Sequence, residues 1–303
     1  MPNHHRPLLA FALLLAAWPA AHHEAHAQNA GAVTLTHVHG LAYSADGKQI
    51  MIPSHHGLAV FRDGNWSKAP GPSHDYMGFA ATRNRLYSSG HPAPGSGLVN
   101  PFGVIRSTDG GKTWDKLGLE GETDFHLLAT SYEKNVVYVY NPAPNSRMKS
   151  PGLYYTVNDA FVWNRAQAGG FSGQPTSLAV HPSDPKVVAV GSKSGLYLST
   201  DSGDTFRAVA TGDQVLAIYF DLDGTYLLFS SYASAPALVR VNWKTGAKRS
   251  LTLPPMARDA VAYIAQNPAN RIEYAIATFE RSVYITRDGG QSWRQIARDG
   301  KGL

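Results

Sequence analysis

Apolar and polar residues alternate over short stretches along most of the chain. The apolar runs are rich in Val, Ile, Leu and Tyr, and Gly, Pro, Asn and Asp bound them. This pattern is typical of short β-strands joined by tight turns. No stretch beyond the first 27 residues shows the period of an amphipathic helix. The pattern therefore predicts an all-β protein.

An aromatic residue recurs along the chain with a nearly regular spacing of 37 to 50 residues. The recurring residues are Trp66, Trp114, Trp163, Phe206, Trp243 and Trp293. This spacing is typical of β-propeller blades, each of which has four antiparallel strands. We therefore predict a single six-bladed β-propeller domain over residues 28–303. The predicted blades are 35–69, 76–118, 125–167, 176–210, 214–253 and 260–298. A seven-bladed ring and a β-sandwich are the alternative architectures.

Three segments share the pattern Ser/Thr-x-Asp-x-Gly-x-Thr/Ser-aromatic. They are STDGGKTW at 107–114, STDSGDTF at 199–206 and TRDGGQSW at 286–293, and TVNDAFVW at 156–163 is a degenerate copy. We expect the Asp and Ser/Thr side chains to bind the backbone of a turn in which Gly takes a positive φ. The pattern resembles the Asp-box of bacterial neuraminidase repeats, and we call these four sequences the Asp-box segments.

The first 27 residues have the features of a secretory signal peptide. Arg6 precedes the apolar run LLAFALLLAAW at 8–18, and the sequence Ala25-His26-Ala27 predicts cleavage after Ala27. The apolar run is shorter than the roughly 20 residues that a membrane-spanning helix needs. We therefore expect a periplasmic or secreted protein without a membrane span.

Composition narrows the chemistry that the chain can carry. Because there is no cysteine, disulfides, zinc–thiolate sites, iron–sulfur clusters, a thiol nucleophile and a lipobox anchor are excluded. The formal net charge of +5 is too small to indicate nucleic acid without a clustered basic patch. The 13 histidines are the unusual feature, and five of them lie in the predicted signal peptide.

Seven of the remaining histidines map to one face of the predicted propeller. In antiparallel blades, the start of the innermost strand and the loop between strands two and three lie on one face, and the Asp-box segments lie on the other. The seven fall in the first three blades: His37, His39, His55, His56, His74, His91 and His126. Only His181 maps to the Asp-box face. The sequence thus predicts a shared site at the channel mouth of blades one to three.

The residue types on this face suit a transition metal. His37 and His39 are two residues apart on a strand, so their side chains point to the same side. His55 and His56 point to opposite sides, so one of them is expected to face the channel. We assign His37, His39, His55, His56, His91 and His126 as candidate metal ligands. Imidazoles without thiolates suit Zn(II), Cu(II), Fe(II) or Ni(II), and we take zinc or copper as the expected cofactor.

Carboxylates accompany the histidines. Asp75 and Asp124 are candidate ligands or partners that orient an imidazole, and they are also candidate catalytic residues because His and Asp can transfer protons. His74, Asp75, Asp124 and Arg147 are the predicted ligand-binding residues. The two Pro-rich loops after His91 and Asn141 are expected to form walls beside the site.

Five short motifs carry a resemblance to a known family. They are His37-Val38-His39-Gly40, His55-His56-Gly57-Leu58, Met77-Gly78-Phe79, Ser89-Gly90-His91-Pro92 and Asp124-Phe125-His126. In this order before Asp-boxes, they resemble small exported Asp-box propellers described as glycosyl-hydrolase-like or sialidase-like. The resemblance implies a propeller fold and export.

The residues depart from a true sialidase. The resemblance to that superfamily implies a Phe/Tyr-Arg-Ile-Pro motif, a Tyr–Glu pair and an acidic Asp, and the tetrapeptide is absent. A glycoside hydrolase with two carboxylates drawn from Asp75, Asp124, Asp213 or Asp259 stays open. So does a scaffold that binds a protein partner, because propellers serve all these functions. The first expectation is a binding protein for a metal, a glycan or another small molecule.

Overall fold

The computed structural model describes Met1, residues 33–256 and residues 258–303. The predicted signal peptide, residues 1–27, lies outside the described residues apart from Met1. Within the described part of the chain, no helix has the length and hydropathy needed to cross a membrane.

Strands make up six antiparallel sheets, each formed by consecutive strands. Blade one has β1 (Ala42–Tyr43), β2 (Ile50–Ser54), β3 (Gly57–Arg62) and β4 (Asn65–Lys68), and blade two has β5 (Asp75–Ala81), β6 (Leu86–His91), β7 (Val104–Ser107) and β8 (Asp115–Gly118). Blade three has β9 (Leu128–Thr130), β10 (Val137–Asn141), β11 (Gly152–Thr156) and β12 (Asn164–Arg165), and blade four has β13 (Pro175–Val180), β14 (Val188–Ser192), β15 (Gly195–Ser199) and β16 (Arg207–Thr211). Blade five has β17 (Gln214–Phe220), β18 (Tyr226–Tyr232), β19 (Pro236–Asn242) and β20 (Lys248–Ser250), and blade six has β21 (Val261–Gln266), β22 (Tyr274–Thr278), β23 (Val283–Thr286), β24 (Arg294–Arg298) and β25 (Lys301–Gly302).

The six sheets form a closed ring, which confirms the predicted six-bladed propeller. The innermost strands β1, β5, β9, β13, β17 and β21 contact one another in this order, and β21 contacts β1. Blade six has a fifth strand, β25, beyond the four that were predicted. The innermost strands surround a central channel with a cavity of about 250 Å³.

The hydrophobic core consists of six clusters, one between each pair of neighbouring blades. For example, Met51 and Leu58 of blade one pack with Tyr76 and Phe102 of blade two. A blade has two faces, so it buries both only when it has a neighbour on each side. The ring therefore supplies the burial that a single four-stranded sheet lacks.

Blade six meets blade one through residues from the two ends of the described propeller. Thr34 forms an isolated bridge with Lys301, and the Leu35 N–H donates to the Gly300 carbonyl at 2.7 Å. The Trp66 indole N–H donates to the Ile296 carbonyl, also at 2.7 Å. The recurring aromatic of blade one thus holds strand β24 of blade six.

The Asp-box segment at 107–114 forms the predicted turn. The Ser107 hydroxyl accepts from the Gly111 N–H at 2.8 Å, and Asp109 Oδ1 accepts from the Thr113 N–H at 3.0 Å. Gly111 has a φ of 89°, where its missing side chain avoids strain. Hydrogen bonds, first of all from the Thr113 N–H, lower the pKa of Asp109 to about 2. Equivalent bonds recur in the segments 199–206 and 286–293.

The degenerate segment 156–163 keeps the same turn without the usual residues. Asn158 Oδ1 accepts from the Val162 N–H at 2.9 Å, as Asp does in the other copies. Ala160 occupies the glycine position with a φ of 64°. The neighbouring residue Asp159 accepts hydrogen bonds from Arg85 at 2.7 Å and from Arg106 at 2.9 Å, both in blade two. These ion pairs connect blade three to blade two at the turn.

His181 is a buried structural residue on the Asp-box face. Its Nδ1 accepts from the N–H groups of Ser183 and Asp184 at 3.3 and 3.1 Å, so Nε2 carries the proton that is donated to the Gly224 carbonyl at 2.9 Å. A proton on Nδ1 would point an N–H at the N–H groups of Ser183 and Asp184, so both of these hydrogen bonds would be lost. Burial is the main cause that lowers the pKa of His181.

We expect the free energy of unfolding to fall as the pH drops below about 6.5, the pKa of an unfolded histidine. Because the folded pKa of His181 is lowered, the unfolded chain binds more protons in this range, and stability is lost as the pH falls towards the folded pKa. Urea unfolding at pH 7.5, 6.5 and 5.5 should show a shallower dependence in His181→Gln than in the wild type. The exposed His56→Ala is the control and should keep the wild-type slope. An unchanged slope in His181→Gln would contradict this prediction.

Candidate functional site

Three imidazoles meet at the channel mouth of blade one. His37 and His39 precede β1, and His55 lies in the two-residue turn between β2 and β3. Their candidate ligand atoms all lie within 4.8 Å of one another. His39 Nε2 and His55 Nε2 are 3.5 Å apart, and the ring of His37 lies edge-on to that of His55 with centroids 4.3 Å apart. We call His37, His39 and His55 the three-histidine group.

Asp75, the first residue of β5, orients one of these imidazoles. Its Oδ2 is 2.8 Å from His55 Nδ1, so Nδ1 carries the proton and the lone pair of Nε2 points towards His39. This arrangement is typical of a carboxylate that fixes the tautomer of a metal-binding histidine. The other oxygen, Oδ1, lies 3.9 Å from His39 Nε2 and is buried without a hydrogen-bond partner. A cation beside the group would satisfy it.

His39 is neutral at neutral pH. Burial is the main cause that lowers the pKa of His39 to about 4, and the negative charge of Asp75 acts in the opposite direction. A metal ion binds the neutral form of imidazole, so no proton has to be displaced from His39. The electrostatics therefore favour a ligand role for this side chain.

A second group forms around Asp124 in the segment between blades two and three. Asp124 Oδ2 is 3.1 Å from both His91 Nε2 and His126 Nε2. His91 Nδ1 is 2.7 Å from Oδ1 of Asn100, a residue of the Pro-rich loop after β6. We call His91, Asp124 and His126 the Asp124 group. It lies next to the three-histidine group because His91 pairs with Asp75 in the β5–β6 ladder.

The structure thus divides the predicted site residues into two groups. In the structure His91 and His126 contact Asp124. The sequence assigned them to one shared metal site together with His37, His39, His55 and His56. His39 and His126 nevertheless line the same central cavity. The cause is the direction of the side chains, which strand order alone does not specify.

Three other predicted residues lie outside both groups. His74 is buried against Tyr76 and Phe102, and its Nδ1 accepts from the Ala93 N–H at 2.9 Å. Burial also lowers its pKa. His56 is exposed beside His55 and is not part of the three-histidine group. The sequence assigned His74 to ligand binding, whereas in the structure its imidazole holds the loop after β6 and packs in the core.

Arg147 is also displaced from the predicted position. Its guanidinium donates to the main-chain carbonyls of Leu117 and Ala160, between blades two and three. Its loop is held by Glu122, which accepts from Ser146 at 2.6 and 2.7 Å. Arg147 is therefore a structural residue of this loop and not part of either histidine group.

Two residues of the site were not identified from the sequence. Asn100 orients His91, but an amide within a Pro-rich loop has no recognisable signature. Phe279, in the β22–β23 loop, lines the central cavity and is 58% exposed. The sequence could have indicated Phe279, because it follows the second strand of blade six and this strand end lies on the same face as the histidines.

The fold and the site define a class: a six-bladed propeller with histidines and carboxylates at one mouth of its channel. No family model matches the chain. In sequence it is similar to the xyloglucanase Xgh74A of Acetivibrio thermocellus, at 23% identity over 222 residues. This match covers 73% of the chain and 19% of that enzyme, so the chain spans about one fifth of the length of this relative.

Solved structures with a similar fold have diverse functions. The GH74 enzyme of Niastella koreensis matches with a TM-score of 0.60 and 15% identity, over 88% of this chain and 46% of that chain. An oligogalacturonate lyase in complex with manganese matches at 0.52 and 12%, over 88% and 78%. YCF48 bound to D1 peptide matches at 0.51 and 15%, over 87% and 83%. The chain is a glycoside-hydrolase-like propeller in its fold, and only its own site can indicate its chemistry.

Proposed function

We propose that this chain is an exported Asp-box propeller that binds one transition-metal ion, zinc or copper, and uses it to hold a small ligand. The observation that carries the proposal is the three-histidine group, whose candidate ligand atoms lie within 4.8 Å of one another. The proposed export to the periplasm or the medium is supported by the signal-like sequence of residues 1–27.

The spacing of the nitrogens supports this proposal. Two nitrogens that bind a tetrahedral zinc ion at about 2.0–2.1 Å lie roughly 3.4 Å apart. The 3.5 Å between His39 Nε2 and His55 Nε2 is close to this value. His37 is exposed, and its candidate ligand atom lies within 4.8 Å of those of His39 and His55. The buried Oδ1 of Asp75 offers a hydrogen-bond acceptor to a ligand bound beside the metal ion.

Three protein nitrogens leave a coordination position open, as in catalytic zinc sites. A metal ion bound there would polarise an oxygen of the ligand. The Asp124 group supplies proton chemistry on the same cavity. Because Nε2 of His126 donates to Asp124, its Nδ1 is free to accept a proton from a ligand. The two groups together support metal-assisted binding with a histidine base nearby.

The proposal predicts one metal ion per chain. The protein without residues 1–27 is stripped with a chelator and titrated separately with Zn(II) and Cu(II), with stoichiometry measured by calorimetry and elemental analysis. We expect one ion per wild-type chain and none in the His37→Ala/His39→Ala variant. The Asp124→Asn variant is the matched control and should retain the ion, because Asp124 contacts the other group. No binding by the wild type, or equal binding by the double variant, would refute the metal site.

Glycoside hydrolysis is the second candidate function. The sequence similarity to a xyloglucanase favours it, and the carboxylates Asp75 and Asp124 lie at the channel mouth. A two-carboxylate mechanism needs one of them as an acid and the other as a base or nucleophile. An assay of the metal-free protein with xyloglucan oligosaccharides separates the candidates. Hydrolysis without metal that is lost in both Asp75→Ala and Asp124→Ala would support the hydrolase.

A further inference from the structure

Each blade has an equivalent residue within or just before its innermost strand, and five of the six line the central cavity. It is the residue four places before the end of the strand, and we call the six residues the mouth ring: His39, Met77, His126, Thr176, Leu216 and Ala262. In β5, β13, β17 and β21 this residue is skipped in the ladder, so it forms a β-bulge. A bulge redirects a side chain, and bulges are common beside binding sites.

The mouth ring has imidazoles in blades one and three, and we call its part in blades five and six the apolar half. Blades one and three contribute His39 and His126, which belong to the two histidine groups. Blade two contributes Met77 between these two histidines, and blades five and six contribute Leu216 and Ala262, which line the central cavity. In blade four, the Thr176 hydroxyl already donates to the Val215 carbonyl at 2.6 Å, so it has no free proton for a ligand. A ligand in the channel mouth thus meets imidazoles on one side and hydrocarbon on the other.

An aromatic ring extends the apolar half. Phe279 lines the same cavity and is 58% exposed. Its backbone is held, because its N–H donates to the Ala260 carbonyl at 3.1 Å. Two residues later, Arg281 Nη1 donates to the carbonyl of Thr36 at 3.3 Å, and Thr36 directly precedes His37. The loop that carries Phe279 is therefore tied to the segment that carries the three-histidine group.

We propose that the ligand is a small molecule with a metal-binding oxygen at one end and an apolar or aromatic body at the other. This inference rests on the proposed function, since the three-histidine group provides the metal. The cavity of about 250 Å³ has room for such a body. For comparison, a cavity of about 150 Å³ lined by apolar side chains binds benzene. The oxygen end binds beside His39, and the body packs on Leu216, Ala262 and Phe279.

The test compares two hydroxamates on the cobalt-loaded protein without residues 1–27. Co(II) is the metal used because its visible spectrum reports coordination directly. Acetohydroxamate and benzohydroxamate share the metal-binding group and differ in the size of the apolar body. We expect benzohydroxamate to bind at least about tenfold more tightly, from the apolar area that the ring buries. D-Galacturonate, which is polar on all sides, should bind more weakly than benzohydroxamate.

Two variants distinguish the contribution of the Phe279 ring to ligand binding from that of the metal. Phe279→Ala should weaken benzohydroxamate about fivefold or more and leave the acetohydroxamate affinity within twofold. Phe161→Ala removes another exposed ring, 79% exposed on the opposite face, and should change neither affinity. If Co(II) does not bind the wild type, both this inference and the proposed function are overturned. If Co(II) binds but the two hydroxamates bind equally, or galacturonate binds most tightly, only this inference is overturned.

Discussion

Replacement of His55 by alanine is expected to lower the affinity for a transition metal by at least about 100-fold, whereas His56→Ala should leave the affinity unchanged. Both residues form the turn between β2 and β3, and His55 is the one that contacts Asp75. His55 Nε2 lies 3.5 Å from His39 Nε2, and His56 is exposed outside the group. Loss of an orienting partner alone typically costs 10- to 100-fold, so loss of a ligand should cost more.

The measurement is competition with a chromophoric chelator, together with calorimetry for each variant. Asp75→Asn should give an intermediate loss of about 10- to 100-fold, because it replaces the charged acceptor of His55 Nδ1 by a neutral amide and keeps all three imidazoles. Circular dichroism and thermal unfolding check that each variant is folded. Equal losses in His55→Ala and His56→Ala would show that the metal is not held by the three-histidine group.

Replacement of Phe125 by alanine is expected to lower the free energy of unfolding by about 3–5 kcal/mol. Phe125 is fully buried between Asp124 and His126, and its ring packs against Trp163 with centroids 6.0 Å apart. Its N–H donates to Ser89 Oγ at 2.8 Å. The residue therefore anchors the Asp124 group to the core between blades two and three.

The matched control for this prediction is Phe161→Ala. Phe161 is 79% exposed in the degenerate Asp-box segment, so its removal should change the free energy of unfolding by no more than about 0.5 kcal/mol. Urea unfolding measures both variants. A loss below about 1 kcal/mol in Phe125→Ala would mean that this part of the core is less tightly packed than the structure indicates.

The comparisons with known proteins agree on the fold more than on the chemistry. The similarity to xyloglucanase Xgh74A covers 73% of this chain but only 19% of that enzyme. Here both channel-mouth carboxylates bind imidazoles: Asp75 binds His55, and Asp124 binds His91 and His126. Carboxylates in such pairs serve to orient histidines, which favours the metal-binding proposal over two-carboxylate catalysis.

Local features of the sequence determined the blades. Alternating apolar residues, turn residues and the Asp-box pattern act over a few neighbouring residues, so they are readable without the tertiary structure. The side of the propeller that carries His37, His39, His55 and His91 was also predictable, because antiparallel strands alternate in direction. Even the degenerate segment 156–163 was recognisable from Thr156, Asn158 and Trp163 alone.

The tertiary structure decided which of these side chains meet. His55 and Asp75 belong to different blades. The contact between Arg281 and Thr36, beside Phe279, also joins two blades. The buried positions of His74 and His181 likewise depend on loops and blades that pack around them. Strand order specifies the face of a residue, but rotamers, bulges and contacts between blades set the direction of its side chain. For that reason the sequence predicted a histidine-rich face, and only the packed ring separated it into a three-histidine group and an Asp124 group.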